Sequence, residues 1–194
     1  MGKYDAGSLV DLQGKILMPG FIDSHTHIRG RPLRYIELGE VSSISEIQRL
    51  IRIKADELGS GEWITGYGWS EDNLVEGRKP LRQDLDSAAP NNPITLTRAG
   101  GHSAVVSTLA LQLADITDDT PDPAGGVIER DENGVATGVI REVQGIVGRL
   151  VPDSTYDELI GSLEVNLNAL LAKGITSITD ASKRPRDYLM FEEI

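Results

Sequence analysis

The 194-residue sequence predicts an α/β fold. An amphipathic helix at about 155–172 is followed directly by a β-branched strand at 175–180, the order expected of a unit with parallel strands. Apolar residues at 15–22 predict a buried strand that ends in a cluster of polar residues. Residues 126–140 predict a β-hairpin around Asn133-Gly134, because this pair suits a turn with positive φ. Together these elements indicate parallel strands combined with an inserted α+β segment.

The first helix is predicted at about 45–58, where apolar residues recur at spacings of three and four. Ser43 or Ser45 can cap its start, and Gly59 stands where a glycine would end it. Two strands are predicted at 63–67 and 93–98. A turn-rich connection around a short helix lies between them at 80–90, and a further helix is predicted at 103–114.

The helix at 155–172 is predicted to bury a leucine stripe on one face. Ser154 with Asp157 resembles a capping box at the start of this helix, and Gly174 closes it. The stripe consists of Leu159, Leu163, Leu167, Leu170 and Leu171.

Composition narrows the class of protein. Acidic residues outnumber basic residues by 30 to 19, and the formal net charge is −11. This balance argues against nucleic acid or an anionic membrane as a partner, because both bind clustered Lys and Arg. The sequence contains no cysteine, so any metal must be held by His, Asp or Glu. No apolar run approaches the roughly 20 residues of a membrane span, and we expect a soluble cytoplasmic protein.

The segment Asp23-Ser24-His25-Thr26-His27 carries the clearest chemical signal. Alternate residues of a strand point to the same face, so His25 and His27 can present two imidazoles to one metal ion. Zinc is the first expectation, and iron, nickel or manganese would also accept these ligands. An isolated His-x-His is more often a pair of surface histidines. Here two of the three histidines fall at the polar end of one apolar strand, which favours the metal interpretation.

Residues 12–27 resemble the opening of the amidohydrolase superfamily, in which Gly14-Lys15 and Pro19-Gly20-Phe21-Ile22-Asp23 lead into a His-x-His metal strand. Motifs further along resemble the amidohydrolase 3 branch, and the resemblance covers nearly the whole chain. These motifs are Glu62-Trp63-Ile64 with Gly68-Trp69, Leu85-Asp86, Pro93-Ile94, Gly101-His102 with Ala110-Leu111, Asp122-Pro123, Gly125-Gly126 with Ile128, and Thr137-Gly138-Val139-Ile140 with Glu142.

The resemblance implies the start of a TIM-type (β/α) barrel with a large inserted α+β lobe. It also implies that His25 and His27 bind one metal of a site that holds one or two divalent ions, zinc first. The expected reaction is hydrolysis of the C–N bond of a small amide-type substrate by metal-activated water. Asp23 is expected to bond a neighbouring backbone group or to orient a histidine, not to act as the proton shuttle.

Spacing predicts the domain organisation. Residues 1–28 lead into the first barrel strand, 29–150 form the inserted lobe, and 151–194 supply a helix and the second barrel strand. Position 175 lies 148 residues after position 27, whereas a βα unit needs only a few tens of residues. The extra residues therefore predict a separate lobe, and the resemblance suggests that it helps to shape the substrate pocket.

The sequence also predicts that the chain is the N-terminal portion of an enzyme and is inactive alone. A full barrel takes ~250 residues, and one histidine follows His27, where the family needs two more. Either the exposed strand edges then pair in a homodimer, or the inserted lobe carries most of the stability of the chain. One alternative is a non-catalytic binding or interaction module. Another is a cupin-like fold, and the two long predicted helices argue against that fold.

Three residues of the lobe are candidates for the substrate pocket. His102 is either a substrate contact or a cap of the following helix, and the sequence leaves both open. Trp69 is a second candidate substrate contact, although tryptophans more often serve packing. Glu142 could face the pocket, but a salt bridge with Arg141 or another arginine is the simpler interpretation. The acidic segment 115–122 is expected to be a solvated loop, and it lacks the ligand spacing of a calcium loop.

Overall fold

The computed structural model describes residues 7–8, 10–26, 28 and 31–180 of the chain. The chain divides into two compact units, one made of Met1–Gly30 with Ile160–Ile194 and the other of Arg31–Leu159, which we call the lobe. No helix among the described residues combines the length and apolarity required to cross a bilayer.

The described residues form a mixed α/β structure with two sheets. The strands are β1 (Phe21–Asp23), β2 (Tyr35–Glu37), β3 (Ile64–Trp69), β4 (Ile94–Arg98), β5 (Ser103–Val106), β6 (Val127–Arg130), β7 (Ala136–Arg141) and β8 (Ile175–Ile178). The helices are α1 (Ile44–Leu58), α2 (Arg82–Asp86), α3 (Thr108–Leu113), α4 (Gly145–Gly148) and α5 (Tyr156–Ala172).

A six-stranded mixed sheet in the order β2-β3-β4-β5-β7-β6 forms the centre of the lobe. Strands β2, β3 and β4 are parallel, and β5, β7 and β6 join by antiparallel pairing. The carboxyl ends of β2, β3, β4 and β7 therefore lie at one edge of the sheet, together with the start of β5. We call this the polar edge of the lobe, because Arg98, His102 and Glu142 lie there.

The core of the lobe lies on both faces of this sheet. Val105 and Val139 belong to one buried cluster, whereas their chain neighbours Val106 and Ile140 belong to a second. Adjacent strand residues point to opposite faces, so the two clusters cover the two faces of the sheet. The first cluster includes residues of α1 and α2, and the second includes residues of α3 and the β6–β7 hairpin.

Helix α1 begins and ends where the sequence predicts. The hydroxyl of Ser43 accepts a hydrogen bond from the backbone N–H of Glu46 at 3.1 Å, which satisfies a donor in the first turn. The helix ends at Gly59, whose N–H donates to the carbonyl of Ala55 at 2.9 Å. The predicted strands at 63–67 and 93–98, the short helix within 80–90 and the β6–β7 hairpin are likewise confirmed.

The predicted helix at 103–114 is wrong in its first half. Ser103–Val106 is strand β5, hydrogen-bonded between β4 and β7, and only Thr108–Leu113 is helical. The buried hydroxyl of Ser107 accepts from the N–H of Ala110 at 3.3 Å and starts the helix there. Two neighbouring strands with free backbone groups therefore decide the conformation of a segment whose apolar pattern fits either element.

In the first unit, β1 pairs with β8 in parallel, as predicted from the helix-then-strand order. The segment 15–22 is not a buried strand, however. Ile16 is 90% exposed, Ile22 is 73% exposed, and the strand comprises only Phe21–Asp23. The described part of this unit contains two short strands and most of one helix, which cannot cover an apolar segment of this length. A closed barrel therefore stays a prediction.

Helix α5 covers the predicted range but differs from the prediction in its cap and its buried face. Thr155 and Glu158 form the capping box, because each side chain accepts the other's backbone N–H, at 3.2 and 2.8 Å. Ser154 and Asp157 stand one residue too early for this geometry. Of the leucine stripe, Leu163 is buried, whereas Leu171 is 56% exposed.

Candidate functional site

The backbone at the carboxyl end of β1 is held against the end of β8. The N–H of Thr179 donates to the carbonyl of Asp23 at 2.8 Å, and the N–H of Thr26 donates to the carbonyl of Thr179 at 3.0 Å. These bonds continue the parallel ladder beyond Asp23 and place His25 at the carboxyl end of the strand pair. Catalytic groups of parallel α/β folds occupy this end of their strands.

Asp23 uses its carboxylate locally. Its Oδ1 accepts the backbone N–H of His25 at 3.0 Å. Aspartate side chains often make such bonds two residues ahead, and they fix the direction of the following turn. The prediction that Asp23 bonds a neighbouring backbone group is therefore confirmed.

His25 is exposed at the end of β1, and His27 lies outside the described residues. An exposed imidazole at this position suits a divalent metal such as zinc, and the cysteine-free sequence leaves His, Asp and Glu as donors. Within the described ranges, no three such side chains come together as a metal site. The described donors therefore fit part of a metal centre and leave the rest of its ligand set open.

Asp180 reaches the same segment from the end of β8. Its Oδ2 accepts the backbone N–H of Ile28 at 2.8 Å, across 152 positions of sequence. Sequence analysis did not single out this residue. The available signal was that Asp180 is the last residue of the second predicted strand and that Asp23 ends the first, so that both fall at the same sheet edge.

On the polar edge of the lobe, His102 pairs with Glu142. Nδ1 of His102 lies 3.1 Å from Oε2 of Glu142, and the carbonyl of His102 accepts the N–H of Glu142 at 2.8 Å. The alternative that His102 caps the following helix is wrong, because Ser107 caps it. Arg141 bonds Glu129 at 3.0 Å, so the partner of Glu142 is a histidine and not that arginine.

The turn that carries Glu142 is unusual. Glu142 has φ of 62°, a left-handed conformation that costs free energy for a residue with a side chain. The next turn places the amide of Gln144 against the carbonyl of Gly101, the residue before His102. The carbonyl oxygen of the Gln144 side chain is buried, and it has no hydrogen-bond partner among the described residues.

Trp69, the second candidate substrate contact, is fully buried in the lobe core. Its indole Nε1 donates to the carbonyl of Leu96 at 2.9 Å, so its polar atom is already satisfied. A direct contact with substrate would require this side chain to move. The packing interpretation accounts for both observations, and a substrate contact by Trp69 stays a prediction.

Two acidic residues hold Arg98 at the end of β4. Its Nε donates to Glu71 at 2.7 Å, and a second guanidinium nitrogen lies 3.7 Å from Asp72. The hydrogen bond from Arg98 lowers the pKa of Glu71 below its ordinary value, against a smaller opposing effect of burial. The guanidinium of Arg98 is therefore already paired with acidic side chains of the lobe.

The acidic segment 115–122 folds around an arginine. The guanidinium of Arg130 donates to the carbonyls of Asp118 and Thr120 and to the carboxylate of Asp122. The oxygens that converge there already accept hydrogen bonds from the positively charged guanidinium of Arg130. This geometry argues against a calcium ion at that place, in line with the irregular ligand spacing.

The fold of this chain is similar to that of metal-dependent hydrolases of known structure. An uncharacterized metal-dependent hydrolase from Pyrococcus furiosus, known from its crystal structure, matches this chain with a TM-score of 0.61 and 28% identity. The match covers 96% of this chain and 37% of that protein. Residues 8–194 match the model of the amidohydrolase family, and the chain belongs to this family. The resemblance noted in the sequence is thereby confirmed.

Two curated relatives bear this out. The N-substituted formamide deformylase of Arthrobacter pascens is 31% identical over 182 residues, which are 89% of this chain and 34% of that protein. The protein LONG AFTER FAR-RED 3 of Arabidopsis thaliana is 33% identical over 177 residues, 90% of this chain and 30% of that protein. The chain thus spans about a third of the length of these relatives.

Proposed function

We propose that this chain supplies the first metal-binding segment and the inserted lobe of an amidohydrolase that cleaves C–N bonds of a small amide-type substrate. The observation that carries the proposal is the position of His25 at the carboxyl end of a parallel strand pair, in a His-x-His motif. Membership of the amidohydrolase family and the name of the formamide deformylase relative support the choice of bond.

In this proposal His25 and His27 hold one divalent metal, zinc first, in a site of one or two ions. The bound metal supplies Lewis-acid activation of water and of the substrate carbonyl. Asp23 fixes the turn that presents His25 through its bond to the backbone of that residue. The residues that the structure describes bring no further ligands together, and we expect the chain alone to be inactive.

The domain assignment belongs to the same proposal. Residues 1–28 lead into the metal strand, 29–150 form the inserted lobe, and 151–194 supply the helix and the second barrel strand. Residues of the lobe would contact substrate, with the exposed His102–Glu142 pair as the first candidate. A cytoplasmic location and the barrel itself remain predictions.

A non-catalytic binding module is the alternative function. The observation in its favour is that the lobe has its own sheet and its own two buried clusters. Metal binding by the first unit separates the two functions, because a binding module made of the lobe needs no metal at His25.

Zinc binding by histidine variants tests the proposal. Equilibrium dialysis of the purified chain against zinc should give roughly one bound ion per chain. We expect His25→Ala and His27→Ala to abolish most of this binding, since each removes one of two imidazoles. His102→Ala is the matched control, because it removes the third histidine of the chain and should leave binding unchanged. Zinc retained in His25→Ala, or lost equally in His102→Ala, contradicts the proposal.

A further inference from the structure

We propose that Asp180 is a positioning residue for the metal-binding segment, which it holds through a hydrogen bond to the backbone of Ile28. The inference deepens the proposed function and rests on it. Asp180 would act through the backbone next to His27 and not as a ligand itself.

The contact joins two parts of the chain that are far apart in sequence. Asp180 follows β8 by two residues, and Ile28 follows the His-x-His motif by one. The 2.8 Å distance between Oδ2 of Asp180 and the backbone nitrogen of Ile28 is that of a well-formed hydrogen bond. The bond therefore fixes the far end of the histidine segment.

Burial makes this bond costly to lose. Ile28 is 4% exposed, whereas Phe21 and Ile22 of the preceding strand are more than half exposed. The hydrogen bond itself is partly buried, and a donor that loses its acceptor where water has limited access destabilises the local structure. The carboxylate of Asp180 therefore stabilises one backbone conformation of this segment.

The segment is held at two other points by the end of β8. Thr179 accepts from the N–H of Thr26 at 3.0 Å and donates to the carbonyl of Asp23 at 2.8 Å. Together with Asp180, these bonds fix residues before, within and after the motif, at positions 23, 26 and 28. Partners that orient metal ligands in this way typically change metal affinity by about 10- to 100-fold when removed.

The test compares Asp180→Ala with Asp180→Asn. Asparagine keeps an acceptor oxygen for the N–H of Ile28 and removes the charge, whereas alanine removes both. Asp11→Ala is the matched control, because Asp11 belongs to the same unit and, among the residues that the structure describes, its carboxylate accepts a local bond from the N–H of Gln13 at 2.9 Å.

Two readouts are needed. The first is amide hydrogen exchange of Ile28 by NMR in the metal-free chain, which we expect Asp180→Ala to accelerate by about 10- to 100-fold. The second is the affinity for Co²⁺ from its visible absorption, which Asp180→Ala should weaken by about 10- to 100-fold. We expect Asp180→Asn to stay close to the parent and Asp11→Ala to match it in both measurements. The exchange of amides in the lobe reports whether each variant remains folded.

The outcomes separate this inference from the proposed function. A parent chain that binds no Co²⁺ overturns the proposed function, while Ile28 exchange still reports on the hydrogen bond. Unchanged amide exchange of Ile28 in Asp180→Ala overturns the proposed stabilisation by the hydrogen bond between Asp180 and Ile28. Faster exchange with unchanged Co²⁺ affinity overturns the positioning role of Asp180. Loss of Co²⁺ affinity in Asp180→Asn with parent-like exchange also overturns it, because the charge and not the hydrogen bond would then matter.

Discussion

Single residues at the polar edge of the lobe are held by partners from other elements. Arg98 contacts Glu71, and His102 contacts Glu142 across 40 positions of sequence. The sequence alone could not predict such pairs, because they depend on which strands become neighbours. The local contact between Asp23 and His25 was predictable, since it spans only two residues.

Glu71→Gln should make the protein less sensitive to acid. The Arg98 hydrogen bond lowers the pKa of Glu71 from its ordinary value of 4.5, so the native state binds this proton less readily than the unfolded state. The stabilisation is present above pH 4.5 and is lost as the pH falls through the lower folded pKa. The pair is partly exposed, so we expect a loss of about 0.5 kcal/mol near pH 7.

Urea unfolding of parent and variant at several pH values measures this effect. The difference between the two free energies of unfolding should shrink towards zero as the pH falls below 4.5 and through the lowered folded pKa of Glu71. Glu132→Gln, an exposed residue of the hairpin turn, is the control and should follow the parent. A difference that grows as the pH falls has the opposite sign and rules out this role for the pair.

Strand β7 depends on a glycine at its centre. Gly138 has φ of 90°, and a Cβ built there would lie 2.6 Å from the carbonyl oxygen of Val106. Gly134 in the hairpin turn has φ of 80° with no atom within 4 Å of such a Cβ. The two positions share a left-handed backbone and differ in the space around it.

Gly138→Ala should therefore destabilise the lobe more than Gly134→Ala. The strained backbone alone costs about 1 kcal/mol, the expected loss for Gly134→Ala. The clash with backbone at Gly138 adds to it, for a total of about 3 kcal/mol. Urea unfolding followed by circular dichroism measures both values. Equal losses would show that the close approach to Val106 has no energetic consequence.

Helices and strands with a regular apolar pattern and recognisable capping residues could be predicted from the sequence. Elements whose conformation depends on pairing with neighbouring strands could not. Helix α1 has a serine cap, periodic apolar residues and a closing glycine, and its bounds follow from these. Strand β2 has three residues, too few for a period to appear. The segment of strand β5 was predicted to be helical because its apolar residues fit either a helix or a strand. Its pairing with β4 and β7 determines that it is a strand.

At the scale of the whole molecule, the two units differ in how well they bury their apolar residues. The lobe contains two buried clusters on a six-stranded sheet. In the other unit, Ile16, Leu17 and Ile22 are each more than 70% exposed. Exposed apolar residues beside short strands favour association with another chain.

We therefore expect the chain to form homodimers through the region of β1. Light scattering after size-exclusion chromatography should give a mass that rises with concentration. Ile22→Lys should reduce this association, because a charge cannot be buried there without cost. Val75→Lys is the control, since Val75 is 80% exposed but belongs to the lobe. A monomer at all concentrations, with a melting temperature independent of concentration, contradicts the dimer.

The most direct test of the metal centre follows the imidazoles themselves. The chain has three histidines, and their ring resonances can be observed by NMR in the nitrogen-labelled protein during titration with zinc. If His25 and His27 bind one ion at the end of β1, their two ring signals shift together while that of His102 stays in place. A shift of His102 with zinc, or no shift of His25, would contradict a metal centre at this strand end.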